Sequence, residues 1–150
     1  MALAKLKNWA LRKSLWVYHV NTGACNNCDI EVLELLTPRY DIERFGMVLV
    51  GSPRHADVLA VTGTCTRQAM PRLQEIYMQT PRPCVVMAVG SCALHQGIFA
   101  EAYHMAAKVD EAIKAVDPGA IILYVPGCPP KPEAMILAAV QAMEHLKQLA

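Results

Sequence analysis

Six cysteines are spread over this 150-residue chain, and their spacing points to metal or redox chemistry. Cys25 and Cys28 form a CxxC pair in NTGACNNCD, Cys92 stands alone in GSCALHQG and Cys128 in PGCPP. Cys65 lies in TGTCTRQ, and Cys84 opens CVVMAV. A chain of this length buries a full core without staples, and in a reducing compartment disulfides explain the cysteines poorly. Thiolates instead ligate zinc or an iron–sulfur cluster. A structural zinc site usually takes two close pairs, whereas here one pair and two single cysteines must meet from three loops. A [4Fe–4S] cube spreads its irons over several ångströms and can be gripped at its corners by separate loops. The spacing therefore favours a cluster and leaves a zinc-stabilised structural module as the alternative. Nucleophilic cysteine catalysis needs one activated thiol and accounts for none of the others.

The elements that must position these residues are short apolar or β-branched runs bounded by Gly or Pro. Residues 14–20, 47–50, 57–62, 84–89 and 120–125 read as strands. Helical patterns fall between them: 29–36 with Asp29 as N-cap, 71–78 with Pro71 at the first position, and 103–116. In the last of these Met105, Val109, Ile113 and Val116 make one stripe. A final helix begins at Pro132, with Ile136, Val140, Met143 and Leu146 on one face. Continuously apolar strands alternating with helices predict an α/β fold, a mostly parallel sheet with helices on both faces, formed as one domain over 1–150. Cys25, Cys28, Cys92 and Cys128 then follow the carboxyl ends of strands, the edge where open α/β sheets bind ligands. Gly23, Gly90 and Gly127 precede these cysteines and suit tight turns that approach a bulky group. Cys84 begins its strand and is carried roughly 20 Å from that edge, so it reads as a small buried apolar side chain.

Composition narrows the classes further. The chain is 54% apolar and 18% charged with a net charge of +1, which fits a globular domain whose surface is partly covered by other chains. No basic stripe is present, so binding to nucleic acid is not expected. Neither a membrane-spanning run nor a secretory h-region is seen, which predicts a cytoplasmic location. Residues 1–13 place Leu3, Leu6, Trp9 and Ala10 on one face with Lys5, Lys7, Arg12 and Lys13 interspersed. They read as a short basic amphipathic helix for a membrane surface or a groove on a membrane subunit. No GxGxxG or Ser/Thr-rich phosphate loop follows the first strand, which argues against a stand-alone flavodoxin-like enzyme.

The segments NTGACNNCDIEVLELLTP, GSPRHADVLAVTGTCTRQ, VMAVGSCALHQG and YVPGCPPKPEA together resemble the small subunit of membrane-bound, energy-converting [NiFe]-hydrogenases, a relative of the cluster-bearing subunit at the quinone end of complex I. The resemblance implies a flavodoxin-like core and one [4Fe–4S] cluster held by Cys25, Cys28, Cys92 and Cys128. It also implies a [NiFe]-hydrogenase large subunit that carries the catalytic centre, a ferredoxin-linked polyferredoxin-like subunit and membrane ion-pumping subunits as partners. The expected location is the cytoplasmic face of the cell membrane. Complex I-type subunits share the DIE at Asp29 to Glu31 but carry adjacent cysteines where this chain has Asn27 then Cys28, so the hydrogenase branch fits better. An equivalent subunit of a quinone- or sulfur-reducing complex is the nearest rival. That family usually lacks a cysteine in the Cys65 loop, and Cys65 is expected to line the site without ligating. Glu31 is read as a helix-dipole carboxylate or as a group facing the catalytic subunit. Arg54 and His55 form a solvated turn or a partner contact, and His95 is a surface residue or a donor to a cluster sulfur.

Overall fold

A computed structural model describes residues 14–149, and the expected amphipathic segment 1–13 lies outside the described residues. β-Branched and aliphatic side chains dominate every strand. The strands are β1 (Leu15–Asn21), β2 (Met47–Leu49), β3 (Val58–Thr62), β4 (Val85–Val89) and β5 (Ile121–Val125). They pair in the order β2-β1-β3-β4-β5, parallel throughout. This is the flavodoxin-like order, with the direction of progress reversing between β1 and β3. Every residue of β3 and β4 is buried, as expected for central strands covered on both faces.

The two faces carry separate cores. Helices α1 (Asn27–Glu34) and α5 (Pro132–Leu149) cover one face, where Val32, Met135, Ala138, Ala142 and Leu146 pack on Leu15, Val58, Ala60 and Val85. Helices α2 (Ala69–Gln79) and α4 (Val109–Lys114) cover the other, where Leu73, Tyr77, Val109 and Ile113 pack on Leu59, Val61 and Val86. Ala93 of a further short helix, α3 (Ser91–His95), joins that second core.

Three local expectations are corrected. Pro71 falls at the third position of α2, which begins at Ala69. The helix expected over 103–116 shrinks to Val109–Lys114, because Met105 forms an antiparallel bridge with Thr66 and the Arg67 N–H donates to the His104 carbonyl. These bonds hold the segment before Lys108 extended, although Met105 is buried all the same. Asp29 does not cap α1; Asn26, in the left-handed region, takes the N-cap position and Asp29 lies inside the first turn.

Cys84 is buried just before β4, at the opposite edge from the other loops, beside Arg82 and Tyr77. Burial pushes its thiol up to about 12, with Arg82 pulling the other way. Cys84→Ser puts a hydroxyl in this apolar place and is expected to cost on the order of 1–3 kcal/mol in thermal or urea unfolding. Bound iron should not change. Iron loss in this variant would remove Cys84 from the structural class.

Candidate metal centre

The carboxyl edge of the sheet gathers the four cysteines from three chain segments. Cys25 lies in the loop after β1 and Cys28 in the first turn of α1, at the reversal of strand order where open α/β sheets bind ligands. Cys92 lies in the first turn of α3, directly after β4, and Cys128 follows β5. Cys25, Cys92 and Cys128 line one cavity of about 420 Å³ together with Ser91, His95 and the turn Gly97–Phe99. Cys25 and Cys128 are exposed, and Cys28 is the buried member of the set. Gly90 makes room for it: a Cβ there would stand 2.7 Å from Cys28 Sγ, and φ is +88°. Across the same edge Gly63 approaches the Cys25 loop so closely that a Cβ would meet the Ala24 nitrogen, pinning the loop after β1 to the loop after β3.

The thiols sense one another. Burial first, and then Cys25, Cys92, Cys128 and Asp29, together push Cys28 up to about 11. Cys92 is raised by burial and then by Cys128 and Cys25. Ionising either thiol is opposed by its companions, so thiolate formation here calls for compensating positive charge, which bound metal ions supply. Among the described residues no three His, Cys, Asp or Glu side chains stand close enough to hold a single metal ion. The donor set is four soft sulfurs, three of them bordering an open volume and the fourth, Cys28, buried beside Gly90. It fits a polynuclear iron–sulfur group held at separated corners better than one tetrahedral zinc.

Around the pair Cys25 and Cys28 runs a polar network. His19, half-buried, and Asn21, exposed, alternate onto the same side of β1 as Leu15 and Val17, and Thr62 ends β3 opposite Asn21 in register. Asn21 Nδ2 donates to Asp29 Oδ2 at 2.5 Å, and Thr62 Oγ1 donates to Asp29 Oδ1 at 2.5 Å. His19 Nε2 lies 3.0 Å from both Asp29 Oδ1 and Thr62 Oγ1. Asn21 Oδ1 accepts the amides of Gly23 at 2.9 Å and Ala24 at 3.0 Å. Sequence reading missed this network, and the short helix α3 that presents Cys92. The period-2 alternation of β1 carries the signal for the first, since His19 and Asn21 fall on the face that Leu15 and Val17 bury.

The remaining expectations divide. His95 lines the cavity, and its Nδ1 accepts the Gly97 amide, which leaves the proton of the neutral ring on Nε2. Glu31 faces Glu34 of its own helix and Glu133 of α5; burial first, then these carboxylates, push its carboxyl upward. Arg54 and His55 are exposed in the turn Pro53–His55, where the His55 ring meets Trp16 near the start of β1, at the edge away from the cysteines.

Cys65 is corrected. It does not line the cavity but is fully buried in the second core with Val61, Ala88 and Ala93, and burial alone raises its thiol to about 11. Its loop leaves the cysteine edge, yet its side chain turns under the sheet. Cys65→Ala is expected to keep the full iron content and to cost on the order of 1 kcal/mol in unfolding, through the small cavity it leaves. Loss of one iron per chain would place Cys65 in the site after all.

Comparison with known proteins gives the family. Residues 25–142 match the family described as NADH ubiquinone oxidoreductase, 20 Kd subunit. The chain is 48% identical over 137 residues to the probable membrane-bound hydrogenase subunit mbhJ of Pyrococcus furiosus, covering 91% of this chain and 78% of that one. It is 37% identical over 140 residues to one of the subunits of the F(420)H(2) dehydrogenase of Methanosarcina mazei, covering 93% and 71%. A chain in the structure of the membrane-bound sulfane sulfur reductase, an archaeal respiratory membrane complex, superposes with a TM-score of 0.75 at 35% identity, covering 95% of this chain and 76% of that chain. These relatives are subunits of oxidoreductase complexes, hydrogenase-related and complex I-like. The match spans both ends of the cysteine set and most of the sheet, and the chain therefore belongs to the NADH ubiquinone oxidoreductase 20 Kd subunit family.

Proposed function

We propose that Cys25, Cys28, Cys92 and Cys128 hold one [4Fe–4S] cluster, and that the chain relays electrons in a ferredoxin-linked, membrane-bound [NiFe]-hydrogenase. The observation that carries the reading is the meeting of Cys25, Cys92 and Cys128 from three strand ends around one open cavity, with Cys28 buried beside Gly90, two residues before Cys92. When bound, such a cluster passes single electrons and supplies no hydrogen chemistry of its own. The protein's part is to hold four sulfurs apart, keep Cys28 dry and present the outer rim to a partner. Exposed Ile98 and Phe99 flank the cavity beside exposed Cys25 and Cys128, which suits coverage by the large subunit that holds the nickel–iron centre. Among the described residues no helix is long and apolar enough to cross a membrane, and the proposed place of the chain is peripheral, on the cytoplasmic face of the complex.

Likeness to a sulfane sulfur reductase chain favours a second reading, in which the same relay serves a sulfur-reducing complex. Anaerobic isolation of the tagged chain with its co-purifying subunits tests both. About four irons and four sulfides per chain are expected, with hydrogen evolved from reduced ferredoxin. Polysulfide reduction without hydrogen evolution selects the second reading, and a colourless preparation with one zinc overturns both.

A further inference from the structure

We propose that Asn21 is the positioning residue that sets the separation of Cys25 and Cys28, by clamping the loop of one to the helix of the other. The inference rests on the reading of these cysteines as cluster ligands. Both ends of the Asn21 amide are engaged. Its oxygen accepts two successive N–H groups, Gly23 and Ala24, immediately before Cys25. Its nitrogen donates to the carboxylate of Asp29, immediately after Cys28. One planar group therefore spans the two approaches to the CxxC pair.

The clamp is grounded on the sheet. Asn21 is the last residue of β1, and its carboxylate partner also accepts from Thr62 at the end of β3 and sits against His19 Nε2 on β1. Asp29 is buried, so each of its oxygens needs the donors it receives. Ladder pairing of Asn21 with Thr62 fixes the distance between these supports before any metal is present. The pair is thus held by backbone register and not by the group it binds, as is common for residues that orient metal ligands. Aspartate at position 21 would keep both accepted amides but lose the donor and face Asp29 with like charge. Asparagine at position 29 would keep an acceptor for Thr62 and His19 but turn one donor against the donor of Asn21. Exchanging the two together restores every hydrogen bond, because the new carboxylate at 21 accepts from the new amide at 29, and it leaves the net charge unchanged.

The test compares Asn21→Ala, Asn21→Asp, Asp29→Asn and the double variant N21D/D29N with the unaltered chain, each isolated anaerobically in its complex. Each single variant is expected to release iron to a chelator about tenfold faster, the equivalent of about one hydrogen bond. The line shape of the reduced cluster's paramagnetic resonance signal should change with it. The double variant is expected to return to within about twofold of the unaltered rate, with the original line shape, an outcome that a general loss of stability does not produce. In the metal-free full chain, amide exchange at Gly23 and Ala24 should speed in Asn21→Ala and stay slow in Asn21→Asp, which retains the acceptor. Failure of the double variant to recover, or exchange at Gly23 and Ala24 indifferent to Asn21→Ala, overturns the clamp. An unaltered complex without iron overturns the cluster reading instead, and the exchange measurement still decides the clamp.

Discussion

Serine in place of Cys28 is expected to take bound iron from about four per chain to less than one, and to abolish electron relay with it. The hydroxyl is a harder, far less acidic ligand than a thiol, and at Cys28 no water can stand in, because the side chain is buried against Gly90. Cys92→Ser should act nearly as strongly, since Cys92 lies in the first turn of α3 and lines the cavity. Cys25→Ser and Cys128→Ser, at exposed positions, should also lose the intact cluster, with a degraded three-iron form as the remnant to look for. Iron and sulfide analysis with resonance spectroscopy reads all four. A full complement of iron in Cys128→Ser would break the set, since Cys128 is the contribution of β5.

Gly90→Ala is expected to have the next largest effect with no ligand removed. Gly90 adopts φ +88° and ψ 156°, a region that residues with a Cβ occupy at a cost of about 1–3 kcal/mol. The added methyl would also press within 2.7 Å of Cys28 Sγ, so either the sulfur or the β4–α3 turn must move. Both routes displace a ligand, because Cys92 follows Gly90 by two residues. The expected result is a destabilised chain that holds less than half its iron, read by thermal unfolding and iron content. Normal iron with normal stability in Gly90→Ala would mean that Cys28 does not occupy the position described.

The sheet was legible in the sequence because β3 and β4 are buried on both sides and so read as unbroken apolar runs, bounded by Gly or Pro. Three of the cysteine loops could be assigned to one edge from that alternation alone. What escaped was decided by tertiary contacts. Asp29 looks locally like a cap, but side chains from β1 and β3 claim both its oxygens. The stripe Met105, Val109, Ile113 and Val116 is real as a burial pattern only in part, because the Thr66–Met105 bridge outcompetes helix before Lys108. Cys65 shows that knowing the edge at which a loop emerges does not say which face its side chain enters. The loop after β3 begins at Gly63, which lies against Ala24, and delivers Cys65 into the core with Leu73 of α2 and Ile113 of α4.

The parallel sheet brings together cysteines about a hundred residues apart in the chain, and if they ligate as proposed, that has a consequence for how the protein lasts. A group bonded to Cys28, Cys92 and Cys128 cross-links the polypeptide, closing loops of about 60 and about 35 residues. By analogy with a disulfide, each closure removes conformational entropy from the unfolded chain, about 4 kcal/mol for loops of this length. The cross-link cannot form early, because its last anchor follows β5 and non-local parallel pairing is slow. Insertion of the proposed cluster would therefore await a folded, thiol-bearing edge, and afterwards unfolding would require that iron–sulfur bonds break. With the proposed cluster in place, the working lifetime of the uncovered chain would be set by the rate at which oxidant reaches Cys25 and Cys128, both exposed in the chain by itself, and not by an equilibrium between folded and unfolded forms.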